Sequence, residues 1–340
     1  MRIAKLAIVI VAALVLLPAF SASAHTPLFS HDNSSLQSAF AINDPAKSWA
    51  VYANLPSTDA AAYYWFQMDA GGDIDITLLS PLDPVDSHFL PSFVLMVPGS
   101  LSNNPVPSFV EIPTGYGTIV VNGTDPGTAT YEPFSPGWFY QLANLTLSAP
   151  VTGTYYIAVY DQNNTGNFGL PVGYVEGYTI PEILMLPYSL LLVFVWEGQN
   201  ILIVLLPLII SLVLGGMLVY WLTTKGRGPK DDLSKWVAAF GGLAFVGYAG
   251  IDVYQMLLAL SKTGWESGAI VSVLFAVLPL VLGAIGLRYA LRRGPKTTIY
   301  HRVGLIAIGV VGLMLWTGLY IGPALMILTA ILPSHGWKLH

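Results

Sequence analysis

One uncharged run constrains this chain more than any other feature. Asn200 to Thr223 reads Asn-Ile-Leu-Ile-Val-Leu-Leu-Pro-Leu-Ile-Ile-Ser-Leu-Val-Leu-Gly-Gly-Met-Leu-Val-Tyr-Trp-Leu-Thr, without a single charge over 24 residues. As a helix it extends about 36 Å, enough to cross a hydrocarbon core of roughly 30 Å. Three further apolar runs follow, at about 236–260, 268–287 and 303–332. The second half of the chain therefore reads as a four-span α-helical membrane domain over residues 200–340. A hydrophobic share of 54% and a charged share of 10% fit that division and do not fit one soluble globule.

The first half has a different pattern. Met1–Ala24 carries Arg2 and Lys5, an apolar stretch from Leu6 to Leu17 and the small-residue site Ala22-Ser23-Ala24. These are the three parts of a signal peptide, and cleavage after Ala24 leaves His25 as the new amino terminus. From residue 25 to about 180, short alternating apolar runs are broken by Gly, Pro and Asx turns. Ile74, Ile76 and Leu78 alternate with Asp75 and Thr77, so one face is apolar and the other wet. This segment predicts an all-β extracytoplasmic sandwich or jelly roll with antiparallel strands. Residues 181–199 hold an apolar stretch too short to cross, interrupted by Pro187, and read as an interfacial helix or linker.

Charge orients the chain. Between His25 and Gln199 there are 15 Asp or Glu and one base, Lys47. Such an acidic region argues against nucleic acid as a partner and admits cations. Of the 14 Lys and Arg, nine lie in Lys225–Lys235 and Arg288–Arg302. Four spans put both basic loops on one side, which the positive-inside rule makes cytoplasmic. The expected location is the cell membrane, multi-pass, with the N-terminal domain and the C-terminus outside. Membrane lipid is the first partner, with other membrane subunits or surface proteins after it.

The Trp49 strand, Asp59, Tyr64-x-Phe66, Ala70-Gly71-Gly72 and the alternating strand behind them resemble the opening of a bacterial pre-peptidase C-terminal (PPC) domain. Gly153-Thr154-Tyr155-Tyr156-Ile157-Ala158-Val159-Tyr160 with Gly166-Asn167-Phe168-Gly169-Leu170 is similar to that family's closing hairpin. The resemblance covers both ends of Ser48–Tyr174 and implies a small β-sandwich module that is usually non-catalytic. For the membrane half no family is recognised.

Candidate chemistry is sparse. With no cysteine, disulfides and thiolate metal sites are excluded. No nucleophile elbow, phosphate loop, zincin helix or dinucleotide fingerprint occurs, so no catalytic residue is assigned and a non-enzymatic protein is expected. A mature His25 offers an α-amine and an imidazole to copper; His31 or His88, with Asp86, completes a candidate metal set. Periplasmic copper carriers are similar in combining a mature N-terminal His, an Asp-x-His and a β-sandwich. Asp161-Gln162-Asn163-Asn164-Thr165-Gly166 matches half of a calcium loop, but position 12 is Val172. Asp252 falls inside the second span, with Tyr248 and Gln255 on its helix face as candidate hydrogen-bond partners. The expected function is a membrane-anchored surface protein that binds a partner or serves in a membrane complex. The alternatives are copper binding through His25 and a transporter or redox-complex subunit built on Asp252.

Overall fold

A computed structural model describes residues 25–100, 102–229, 232–292 and 297–333. The expected signal peptide, Met1–Ala24, and the bases Lys230, Arg293, Lys296 and Lys338 lie outside the described residues. The N-terminal region forms eleven strands: β1 (Thr26–Phe29), β2 (Phe40–Ala41), β3 (Trp49–Leu55), β4 (Ala61–Met68), β5 (Asp73–Ser80), β6 (Ser92–Pro98), β7 (Tyr116–Val121), β8 (Thr130–Glu132), β9 (Gly137–Ser148), β10 (Gly153–Tyr160) and β11 (Gly166–Val172). One sheet runs β1-β3-β11-β5-β9-β8 and the other β2-β4-β10-β6-β7.

Both sheets are mixed, which corrects the antiparallel expectation. β1 pairs parallel with β3, and β2 parallel with β4. A parallel pair needs a crossover rather than a hairpin. Here the chain leaves β1, visits the second sheet as β2, and returns to the first as β3. Each edge thus receives a strand from the same N-terminal excursion.

The inward faces of both sheets share one core. Val51, Ile74, Ile76 and Leu78 from the first sheet meet Tyr64, Phe66, Phe93 and Ile157 from the second, all essentially without exposure. The anticipated alternation in β5 holds: Ile74, Ile76 and Leu78 are buried while Asp73, Asp75 and Thr77 are not. β6 is apolar on both sides because its outer face is covered too. Val94 and Met96 pack under Val106, Phe109 and Val110 of the proline-rich segment, and Tyr63 Oη accepts from the Glu111 N–H at 2.7 Å.

The outer face of the six-stranded sheet is covered by a helix. α1 (Ile180–Trp196) starts at a capping box, in which Thr179 and Glu182 satisfy each other's backbone N–H groups. Glu182 also pairs with Lys47 at 2.6 Å, tying the helix start to the sheet edge. At the other end Trp196 Nε1 donates to the carbonyls of Ala53 (3.2 Å) and Phe168 (3.1 Å), and its ring meets Tyr52 edge-on at 4.8 Å. Leu186, Pro187, Val193, Phe194 and Trp196 of this helix are buried against protein, while Leu184, Met185 and Tyr188 stay exposed.

Among the described residues three helices are long and apolar enough to cross a membrane: α2 (Leu206–Thr224), α3 (Leu233–Thr263) and α4 (Ala269–Ala290). α2 starts later than the uncharged run because Asn200 caps a separate turn, Ile201–Val204, and Pro207 begins the helix proper. α3 is the hub, packing on α2 and α4. Gly242 and Gly283 face each other so closely that a Cβ on either meets the other's carbonyl at 2.8 or 2.7 Å. Small residues allow this approach where no hydrophobic effect drives helices together. Large side chains on α2, such as Val213, Leu214 and Met217, stay exposed, as lipid contact requires.

The fourth apolar run, 303–332, expected to form a span, is instead a helical hairpin. α5 (Ile299–Met314) leads to a 3₁₀ turn at Thr317–Tyr320 and then to α6 (Ile321–Ile331). Trp316, Leu319 and Tyr320 all adopt the left-handed conformation, which reverses the chain. Pro323 lacks the N–H needed to carry a helix through this point. Arg302 donates to the Ala330 carbonyl, and Gly309 lies under Ile327, so the two arms touch along their length. The end of α6 therefore returns beside Arg302 and the basic segments, not beside the β region.

Two outcomes follow from this packing. The chain has no native cysteine, so single cysteines report sidedness cleanly. Cysteine at Arg227 and at Leu332 should react with an impermeant maleimide from the same side, and cysteine at Trp265 from the opposite one; Leu332 labelling with Trp265 would restore a fourth crossing. Trp196→Ala should cost about 3–5 kcal/mol in chemical unfolding, through lost aromatic burial and two orphaned carbonyls.

Candidate functional site

The β region and the helices meet around the β8–β9 hairpin. Alternation along β8 sends Tyr131 to the helices and Glu132 the other way. Tyr131 Oη donates to Ser272 Oγ at 2.7 Å, and Ser272 Oγ donates to the Pro133 carbonyl at 2.7 Å. Ala129, Tyr131, Trp138 and Leu142 pack against Ala259 of α3 and Ala269 of α4. Phe134, in the turn, meets Phe275 edge-on at 5.8 Å, and Phe275 stacks on Trp316 of the helical hairpin.

Behind this contact lies a cavity of about 290 Å³, between the outer face of the six-stranded sheet, α1 and Trp316. Tyr52, Trp138, Phe139, Tyr178 and Trp196 supply aromatic wall, and Glu132 and Glu197 supply carboxylates. Glu132 arrives at the end of β8, where the Phe134 N–H donates to its Oε1 at 3.1 Å. Glu197 is the residue after α1, and Gly198 at φ 87° turns the chain away from it. Gly137 leaves room for its carboxyl, since a Cβ there would stand 2.3 Å from Glu197 Oε1.

A polar chain leads from Glu197 into the bundle. Gln199 Nε2 donates to Glu197 Oε2 at 2.8 Å, and the side-chain amides of Gln199 and Gln255 bond to each other reciprocally at 2.9 Å. Gln255 is thus engaged by Gln199, not by Asp252 as the helix-face spacing suggested. Asp252 is 8% exposed and its Oδ2 has no hydrogen-bond partner. With Tyr248 it lines a small recess of about 20 Å³, which also contains Ser135, whose buried Oγ is likewise without a partner. Phe134, Ser135 and Leu190 border both spaces.

Burial dominates the electrostatics outside the spans. It pushes the Glu132 carboxyl up to about 7 and the Glu197 carboxyl up to about 8, against the pull of their N–H donors. Each is raised further by a neighbouring carboxylate, Glu176 for Glu132 and Glu132 for Glu197. Burial also raises the Tyr52 phenol and lowers the His25 imidazole, the latter opposed by Glu176 and Asp75.

The candidate metal residues are dispersed. His25 borders the cavity and bonds Ser48 Oγ through Nδ1, while His31, Asp86 and His88 are exposed. Among the described residues no three His, Asp or Glu side chains are grouped so as to hold a metal ion. The Asp161 carboxylate of the calcium-like loop accepts from the N–H groups of Leu90, Asn163 and Asn164, which accounts for its position as a structural turn. Sequence reading passed over Glu132 and Glu197. Glu197 had one signal: it is an isolated acid closing an apolar stretch, where a charge is costly unless a site uses it.

No protein-family model matches the chain, and no curated protein matches it.

The raised carboxyls fix a pH dependence. Unfolded glutamates titrate near 4.5, so the folded protein holds protons that the unfolded chain releases. Their contribution to stability is full below that value and is lost as pH rises through about 7 and about 8. Thermal melts of detergent-solubilised protein should therefore fall between pH 5 and pH 9, and the combined Glu132→Gln, Glu197→Gln variant should flatten that fall. An unchanged slope would show that neither carboxyl is protonated at neutral pH.

Proposed function

We propose that this chain is a non-enzymatic, multi-pass protein of the cell membrane, whose β region is an extracytoplasmic sandwich that binds a partner or joins a membrane complex. The observation that carries this reading is the join itself. The hydrogen bonds through Tyr131, Ser272 and Pro133, and the apolar contact around Ala259 and Ala269, hold the β region on α3 and α4. A module merely tethered to an anchor has no need of such a seat; one that passes binding on to the helices does. The PPC-like motifs support a non-catalytic module, and the basic segments Lys225–Lys235 and Arg288–Arg302 support an outward β region. Asn122, Asn144 and Asn163 are exposed sequon positions consistent with an outer surface, whereas Asn33 is buried with its amide on the Tyr63 carbonyl.

The unpartnered oxygen of Asp252 favours one second reading, a transporter or redox-complex subunit. Copper binding through His25 rests on a mature terminus at that residue.

Protease applied to intact cells should cut within residues 25–199 and spare the basic segments; protection of the β region would overturn the outward placement. A photo-crosslinking residue at Asn122, Asn144 or Gln67 should yield a discrete adduct with another membrane or surface protein in intact cells. Absence of adducts at every position, with a solution mass of one chain, would remove the partner reading.

A further inference from the structure

We infer that the cavity between the six-stranded sheet and α1 binds a small organic cation, its ammonium group between Glu132 and Glu197 and its carbon skeleton against the aromatic wall. This goes beyond the partner-binding reading and does not require it.

Elimination by chemistry leads to this class. The space of about 290 Å³ is near the lower end for small-molecule sites and far larger than a bare ion needs. An inorganic cation such as calcium takes six to eight oxygen ligands, and no three carboxylate or imidazole side chains converge among the described residues. An anion would face two carboxyls, and no Lys or Arg is among the residues described as lining the cavity. A neutral apolar guest would leave the remaining hydrogen-bonding capacity of both carboxyls unused. An organic ammonium satisfies both halves of the wall at once. The carboxylates neutralise it, and the electron-rich rings of Tyr52, Trp138 and Trp196 in the cavity wall attract it through their quadrupoles.

The recess supplies an independent pointer. Asp252 is more than nine-tenths buried, yet its Oδ2 has no partner, and Ser135 Oγ beside it has none. Both groups border a space of about 20 Å³, room for one water or one ammonium group, with Phe134, Ser135 and Leu190 shared with the larger cavity. Two orphaned oxygens in a recess that shares three wall residues with the acidic, aromatic cavity are what a group carrying N–H donors would satisfy.

The titratable groups facing this space are His25 and Tyr52 from the sheet, Glu132 from the end of β8, Tyr178 from the linker, Glu197 from the end of α1, and Tyr248 and Asp252 in the recess. Glu176 lies close enough to act on His25, Glu132 and Tyr178. Without ligand, burial raises the Glu132 carboxyl to about 7 and the Glu197 carboxyl to about 8, so both hold a share of their protons near neutrality. An arriving ammonium drives them to ionise, and their protons pass to the buffer. Affinity should therefore rise with pH between about 6 and 9.

The experiment is calorimetric titration of the full chain in detergent at pH 7.5 with 1,4-diaminobutane, butylamine and tetramethylammonium as probes. At least one should bind saturably at one site per chain. Neither sodium nor calcium at tenfold excess should displace it. Glu132→Gln and Glu197→Gln should each weaken binding at least tenfold while leaving the circular dichroism spectrum unchanged. A second measurement needs no variant: repeating the titration in phosphate and in Tris should give different heats, because the protons released are taken up by buffers of different ionisation enthalpy. Binding of none of the three probes, displacement by calcium, native affinity in both Gln variants, or identical heats in the two buffers would each overturn the proposal. Loss of probe binding leaves crosslinking at the outer surface untouched, so this inference and the partner reading fail separately.

Discussion

The open face of the six-stranded sheet cannot stay wet, and the rest of the molecule is arranged around covering it. Tyr52, Leu79 and Phe139 make that face apolar. A sheet with an apolar outer face needs a second layer. α1 provides the layer and in doing so becomes the middle of the molecule. Val193 and Trp196 face the sheet, while Leu191 and Phe194 face Val204, Leu208 and Ile251 of the bundle. A helix amphipathic in the usual sense would show one apolar stripe; this one has two apolar contacts of different kinds and leaves a third side, with Leu184, Met185 and Tyr188, exposed. Its apolar length was long enough to look membranous and too short to cross because it is shared between two neighbours.

Placing a helix against a twisted sheet leaves a gap where their shapes diverge. The junction cavity occupies that gap at the end where β8 and β9 turn outward to reach α3 and α4. The same turn, from Pro133 to Pro136, therefore makes the docking contact on one side and brings Glu132 and Ser135 to the cavity on the other. Glu197 reaches it because α1 stops there, at a glycine-assisted turn. Docking and site are thus built from the same short segments, and each depends on the backbone conformation of the other.

Much of this was legible beforehand, for particular reasons. The long spans announced themselves through uncharged length, and β5 through strict alternation of Ile74, Ile76 and Leu78 with polar neighbours. The parallel edges were not legible, because pairing direction depends on which sheet β2 visits and no local pattern records that. The fold-back of 303–332 escaped because an apolar run of that length satisfies a span equally well; Pro323 marked a bend without giving its angle. Asp252 stood out as a charge in a helix, but its spacing pointed to Gln255, which tertiary contact gave to Gln199. Glu132 and Glu197 are 65 positions apart in the chain, and only the folded form brings both to one cavity.

The returning hairpin bears on how the protein is built during synthesis. A span can leave the insertion channel as soon as it is made, because lipid accepts it as it stands. The 11-residue arm Ile321–Ile331 has no such independence. It is too short to cross, it emerges after the helices it packs on, and its seat is formed by Gly241 of α3 and Gly286 of α4, against which Leu325 and Met326 lie. Tyr320, at its head, donates to the Ile183 carbonyl of α1 at 2.6 Å. The link between this arm and α1 therefore closes only after α2 to α5 have emerged. A chain halted before residue 320 lacks the Tyr320 bond to α1, so this arm latches α1 to helices made before it.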